Sequence, residues 1–212
     1  VDHGRLFVHV NEQAPVVHPV IIIGAGFSGL NMAIRLKQAG HHDFIVLERA
    51  NDVGGTWRDN VYPGCACDVP SVLYSYSFEQ NPDWSEGFAQ SHEIHAYTRR
   101  CAQKYGLLPH IRFDTGVARS AFDETSGIWS LETERGETLR ARFVVSAVGG
   151  LVKPAWPDIP GRERFGGKLM HTARWDASYA LEGKRVAVIG TGASAVQVIP
   201  AIQPRVGAMT VF

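Results

Sequence analysis

The chain has 212 residues, with 21 basic and 21 acidic side chains, so its formal net charge is zero with His neutral. About 45% of residues are apolar and 20% charged, the balance of an ordinary globular protein, which argues against nucleic acid or an anionic membrane as a partner. No apolar run approaches the ~20 residues of a membrane helix, and Cys65, Cys67 and Cys101 form neither a disulfide framework nor a zinc knuckle, so reduced thiols, a cytoplasmic location and no metal site are expected.

Residues 1–19 read as an N-terminal arm. Val20 to Ile23 is a short β-branched run that suits a strand buried on both faces. It leads directly into Gly24-Ala25-Gly26-Phe27-Ser28-Gly29, after which Leu30, Ala33 and Ile34 recur at helical spacing up to a stop near Gly40. Phe44 to Leu47 predicts a second buried strand, ending at Glu48. The order strand, glycine turn, helix, strand, acid is that of a Rossmann-like βαβ unit opening a parallel sheet.

Residues 54–77 read as an ordered loop rich in Gly, Pro and aromatics, and residues 91–104 as a helix with Ser91 as its N-cap and Glu93 in its first turn. Four short strands follow, at 111–113, 117–122, 128–133 and 139–148, and their turn signals predict a small antiparallel meander inserted into the α/β unit. Pro154, Pro157 and Pro160 mark a linker over 151–184. At Arg185 the opening pattern returns: an apolar strand, Gly190-Thr191-Gly192-Ala193-Ser194-Ala195, a helix to about Ile202 and a strand from Met209 to Phe212. The fold class expected is therefore α/β: one dinucleotide-binding domain over 20–150 and the truncated start of a second over 185–212.

Each glycine of the first turn has a physical task. Gly24 allows the tight strand-to-helix turn, Gly26 lets a pyrophosphate approach the backbone, and Gly29 lets the helix pack on the strand. Phosphates would then face the free amides at the helix start. Glu48 follows Gly24 by 24 positions, where an acid accepts ribose hydroxyls. Gly55-Thr56-Trp57, Tyr62-Pro63-Gly64 and Asp68 supply an aromatic loop that suits the wall of a flavin ring, although a structural loop with a buried Trp accounts for the same residues.

These residues resemble the class B flavoprotein monooxygenases, and within them the type I Baeyer–Villiger monooxygenases. The FAD fingerprint is carried by Gly24 to Gly29 with Glu48, and the pattern [A/G]GxWxxxx[F/Y]PGxxxD by Gly55, Trp57, Tyr62, Pro63, Gly64 and Asp68. The signature FxGxxxHxxxW[P/D] is met by Phe165, Gly167, His171, Trp175 and Asp176, where related N-oxygenating flavoenzymes generally differ at the last two. Gly190, Gly192 and Ser194 match the nicotinamide-nucleotide turn.

The resemblance implies FAD and NADPH as cofactors, and insertion of one oxygen atom of O2 beside a ketone carbonyl, through a C4a-peroxyflavin, to give an ester or lactone. It places Asp68 near the flavin and nicotinamide as a catalytic carboxylate in low dielectric; a loop carboxylate capping backbone amides is the competing reading. Gly55, Thr56 and Trp57 would border the flavin, with Tyr62, Cys67 and Tyr74 nearby. Phe27, Ser28 and Arg49 join the FAD site, Val117 brings its backbone near the adenine, and Ala147 to Gly149 return the chain to FAD. Ala193 joins Gly190, Gly192 and Ser194 around the NADPH pyrophosphate. His171 is functional through domain movement rather than as a base.

The residue choosing NADPH over NADH is expected near position 214, and the catalytic arginine also beyond Phe212. The chain thus reads as an N-terminal fragment, inactive alone and exposing apolar surface. An N- or S-oxygenating flavin monooxygenase and a non-catalytic FAD-binding module are the alternatives. A disulfide reductase lacks its dithiol here. His92 and His95 stand at i and i+3, without zinc-protease spacing, and read as a solvated helix face.

Overall fold

A computed structural model describes residues 16–151 and 153–212. Most of the proposed N-terminal arm, residues 1–15, lies outside the described residues. The main sheet has six strands: β1 (Val17–Ile23), β2 (Phe44–Leu47), β3 (Ile111–Arg112), β4 (Val117–Asp123), β5 (Ile128–Thr133) and β6 (Thr138–Ser146), in the order β3-β2-β1-β6-β5-β4. The first four in that order run parallel, and β4, β5 and β6 form the antiparallel meander.

One expectation is corrected here. The strand at Ile111 does not belong to the meander; it pairs in parallel with β2, Val46 opposite Ile111. Its two residues are too few for an alternation to show which neighbour they join. The strand β6 serves both parts, its first half paired with β5 and most of its length with β1.

Ile21 and Ile22 are both fully buried, on opposite faces of β1, which is what a continuous β-branched run between two layers requires. On one face lie α1 (Phe27–Gln38) and α3 (Ser91–Lys104). Leu30, Ala33 and Ile34 of α1 meet Ile22, Phe44 and Val46 there, together with Tyr97, Cys101 and Ala102 of α3. On the other face Ile21 and Leu47 meet Leu131, Leu139 and Ala141 of the meander. The helix α1 ends at Ala39, followed by Gly40 at φ +85°, with Arg35 and Lys37 in the last turn where cations complement the dipole.

The N-cap of α3 is Gln90, not Ser91, and no side chain caps it. Ser91 is instead buried, and its amide donates to the Cys65 carbonyl at 2.8 Å, joining the helix start to the loop. The helix carries His92 exposed, but Ile94 is buried and His95 Nε2 lies 3.2 Å from Asp52 Oδ2, so only His92 fits the solvated face expected of this stretch.

The second unit is a separate two-stranded parallel sheet, β7 (Arg185–Val188) and β8 (Ala208–Val211), joined by α4 (Ala193–Ile202). Its core of Val198, Ile202 and Leu181 packs against Tyr62 and Cys65 of the loop, with Trp175 of the linker at the edge. Ile189, Val196, Val211 and Phe212 remain exposed, so this unit leaves apolar surface uncovered. No helix of the described residues is long and apolar enough to cross a membrane.

Candidate functional site

The first glycine turn is held under a crowded roof. Gly24 has φ +102°, and a Cβ there would stand 2.6 Å from the Ala147 carbonyl oxygen. The amide of Ala147 in turn donates to Ile23 at 2.9 Å, so the end of β6 closes on the end of β1. At Gly29 a methyl group would be driven into the carbonyl oxygen of Gly24. Two of the three glycines are therefore demanded by contact, and Gly24 by conformation as well. The helix α1 has Gly26 as its N-cap, no side-chain cap and no acid in its first turn, so its first-turn amides and dipole are left to an anion from outside.

A second glycine-bearing segment lies directly on the first. Gly54 and Gly55 adopt φ +112° and +53°, and a Cβ on Gly55 would stand 3.0 Å from the Gly26 Cα. The amide of Gly54 donates to the Ala25 carbonyl at 3.0 Å. Gly55 then opens α2 (Thr56–Asp59), a single helical turn inside the segment expected as loop. Trp57 on that turn packs with Phe27, Cys67, Tyr74 and Ile94, and its Nε1 donates to the Tyr74 hydroxyl at 3.0 Å. The Tyr74 ring lies edge-on to Trp57 at 5.4 Å between centroids and tilted at 5.1 Å from Phe27. Burial raises the Tyr74 phenol above its usual pKa, so it stays protonated.

Asp68 follows the buried Cys67, and its negative charge acts on Tyr62, Cys67 and Tyr74. The carboxylate is exposed, so these residues alone do not create the low-dielectric setting expected of it. The thiols of Cys65, Cys67 and Cys101 are all buried and free, each raised first by burial, which makes them poor nucleophiles.

At the other end of the turn Glu48 is only 4% exposed. Its Oε2 accepts the Ala25 amide at 2.8 Å, and its Oε1 accepts the Ala50 amide and Arg58 Nη1, both at 3.0 Å. A carboxylate has about four acceptor sites, so one on Oε2 is left for a hydroxyl. Arg58 also donates from Nε to Asp59 at 2.9 Å and from Nη1 to the Asp52 carbonyl, while Arg49 reaches Asp59 Oδ2 at 2.8 Å. Burial pulls the Arg58 guanidinium down, but Asp59 and Glu48 outweigh it and the net shift is upward. A cleft of about 450 Å³ beside this network is lined by Arg49, Arg58, Asp59, Glu134 and the linker residues Ala173 and Trp175.

The second turn repeats the first without its roof. Gly190 has φ +110°, Gly192 caps α4 with no side-chain cap and no acid in the first turn, and a Cβ on either glycine meets nothing within 4 Å. Ala193 is exposed and Ser194 half-buried. The Tyr62 hydroxyl donates to Gln197 Oε1 at 2.7 Å, and Gln197 Nε2 donates to the Ala66 carbonyl at 2.9 Å. Burial pushes the Tyr62 phenol up to about 12. The loop that leads to Asp68 is thereby tied to the helix of the second turn.

The other expected residues are more dispersed. Val117 begins β4 beside a bulge, and Gly149 is exposed at φ +70° beyond Ala147. His171 accepts the Ala173 amide at 3.1 Å on Nδ1, and its ring stands edge-on to Trp156 at 5.4 Å. It pins a turn of the linker and touches neither glycine turn. Arg58, Asp59 and Gln197 were missed by the sequence reading. Their signals were faint: a charged pair inside an aromatic loop, and one Gln on a helix whose buried face is otherwise apolar.

Residues 21–203 match the family described as pyridine nucleotide-disulphide oxidoreductase. The chain belongs to that family. Within it the sequence is 56% identical over 211 residues to a Baeyer–Villiger monooxygenase of Streptomyces coelicolor, and 52% identical over 214 residues to one of Pseudomonas aeruginosa. Both matches take in 100% of this chain, but only 39% and 41% of the relatives. Among solved structures, cyclohexanone monooxygenase from Rhodococcus sp. Phi1 bound to NADP+ superposes with a TM-score of 0.86 at 38% identity, covering 94% of this chain and 38% of that one. OTEMO in complex with FAD and NADP superposes with a TM-score of 0.86 at 35% identity, over 94% and 39% of the two chains. The Rossmann-like α/β fold with its inserted meander is thus shared with the N-terminal part of these enzymes.

Proposed function

We propose that this chain supplies the FAD site and the NADPH docking turn of a flavin-dependent monooxygenase that inserts one oxygen atom of O2 beside a ketone carbonyl. The observation that carries the reading is the contact of Gly26 with Gly55, which brings the anion-seeking start of α1 and the Trp57–Tyr74–Asp68 wall to one place. The relatives' chemistry and bound cofactors support it. When bound, FAD reduced by NADPH supplies the activation of oxygen.

The chain's own residues bind and orient. The amides of Phe27, Ser28 and Gly29 face the FAD phosphates, and Glu48 takes a ribose hydroxyl, with Arg49 and Val117 toward the adenine. Gly55, Thr56, Trp57, Tyr62, Cys67, Asp68 and Tyr74 border the ring system, and Ala147 and Gly149 close the turn. Gly190, Gly192, Ala193 and Ser194 meet the NADPH phosphates, and His171 steadies the linker between the two units. The division follows at 20–150, 151–184 and 185–212, in the cytoplasm.

The test is NADPH oxidation in a protein of the relatives' length carrying this sequence, supplied with a cyclic ketone or a thioether. Ketone-dependent oxidation with a lactone as product is expected. Sulfoxide alone places the protein among heteroatom oxygenases, and FAD binding without either product leaves a binding module; both contradict the proposal. The isolated 212-residue chain is expected to bind FAD and to turn over no ketone.

A further inference from the structure

We propose that Arg58 is a positioning residue for FAD, acting through Glu48: it holds the ribose acid in its binding orientation and locks it to the turn that carries the ring wall. The inference rests on the FAD reading given above, and concerns Arg58 and Asp59, to which no part of that reading assigns a role.

Glu48 is buried beside the place where a diphosphate would sit. A buried carboxylate without a partner is costly, and a second anion nearby makes it more so. Arg58 supplies the compensating cation, with a side chain only 12% exposed. It also decides which oxygen is free. With the Ala50 amide and Arg58 both on Oε1, that atom is saturated, and Oε2 keeps one acceptor site beyond the Ala25 amide.

Arg58 is itself fixed. Asp59 accepts its Nε, and Asp59 is held in turn by Arg49, the neighbour of Glu48. The loop formed by Glu48, Arg58, Asp59 and Arg49 therefore closes on itself through two backbone neighbours. Because Arg58 directly follows Trp57 on α2, one side chain ties the adenosine end of the site to its ring end. A lysine keeps the charge on Glu48 but not the fork that also engages Asp59.

The experiment is FAD titration of the flavin-free protein by fluorescence quenching, for the wild type, Arg58→Met, Arg58→Lys, Glu48→Gln and the Arg58→Met/Glu48→Gln pair. Arg58→Met is expected to weaken FAD roughly ten- to a hundredfold, the scale of a charged hydrogen bond. Arg58→Lys is expected to recover part of that loss. In the Glu48→Gln background the Arg58→Met change is expected to alter affinity by less than about twofold, because its partner is already gone. Should Arg58→Met fail to fold, Arg58→Gln replaces it in both backgrounds.

Equal affinity of Arg58→Met and wild type, an equal loss in the two backgrounds, or an Arg58→Lys no better than Arg58→Met each overturns the role. A wild-type protein that takes up no FAD overturns the cofactor reading instead, so the two failures are distinct.

Discussion

Gly24 and Gly190 hold corresponding places in the two glycine turns and share nearly the same backbone, φ +102° and +110°. Alanine at either site meets the same conformational penalty, about 1–3 kcal/mol for a non-glycine residue in that region. The surroundings differ. At Gly24 the added methyl stands 2.6 Å from the Ala147 oxygen and 3.1 Å from its carbon, whereas at Gly190 nothing lies within 4 Å. Ala147 cannot retreat freely, because its amide is bonded to Ile23 and ends the pairing of β6 with β1. Overpacking of this kind costs about 1–3 kcal/mol more. Gly24→Ala should therefore destabilise by roughly 2–6 kcal/mol in total, and Gly190→Ala by about 1–3 kcal/mol. Urea unfolding of the 212-residue chain measures both, each on the transition of the sheet that carries it. Equal losses at the two sites, or the larger loss at Gly190, would refute the claim that the first turn is roofed by the end of β6 and the second is open.

Trp57→Phe keeps an aromatic group but removes the donor to Tyr74 and part of the packing, and thermal unfolding should show a loss of at least about 0.5–1.5 kcal/mol, the hydrogen bond alone. Tyr62→Phe removes the donor to Gln197, and should loosen the second unit by about 1 kcal/mol, seen as faster hydrogen exchange in β7 and β8. The Asp176 carboxyl is held down to about 2, first by its hydrogen bond to Lys168 and then by Ser178. Its folded value is depressed, so this pairing is complete above the ordinary 3.8 and is lost as pH falls toward about 2. Lys168→Met should return the Asp176 titration toward the ordinary value, followed by carboxyl NMR shifts.

The parts of the fold written in local pattern were legible in the sequence. A four-residue β-branched run, a glycine turn and a helical stripe specify β1, α1 and β2 almost residue by residue, because both faces of β1 must be apolar. The first strand nevertheless starts three residues before the expected Val20, since β6 offers partners to Val17 and His18 that no local pattern announces. Pairing direction was hidden at β3 for the same reason. The two glycine turns, and the place of Glu48 beside the first, were legible because their spacing fixes where they fall in a βαβ unit.

Arg58 was not, because an exposed loop arginine and a buried one look alike until the fold closes over them. Asp68 shows the opposite case. The motif singled it out, yet Asp68 is exposed among the described residues, which do not build the low-dielectric setting expected of it. Gln197 links residues 131 positions apart, a distance at which no spacing rule operates.

The claim on which the account stands is that the start of α1, Glu48 and the Trp57 wall form a site for a flavin carrying an adenosine half. Titration of the purified, flavin-free 212-residue chain with FAD and with FMN tests it most directly. Stoichiometric uptake of FAD, with FMN held far more weakly because it offers nothing to Glu48, is the result expected. A chain that binds neither, or binds both alike, contradicts it.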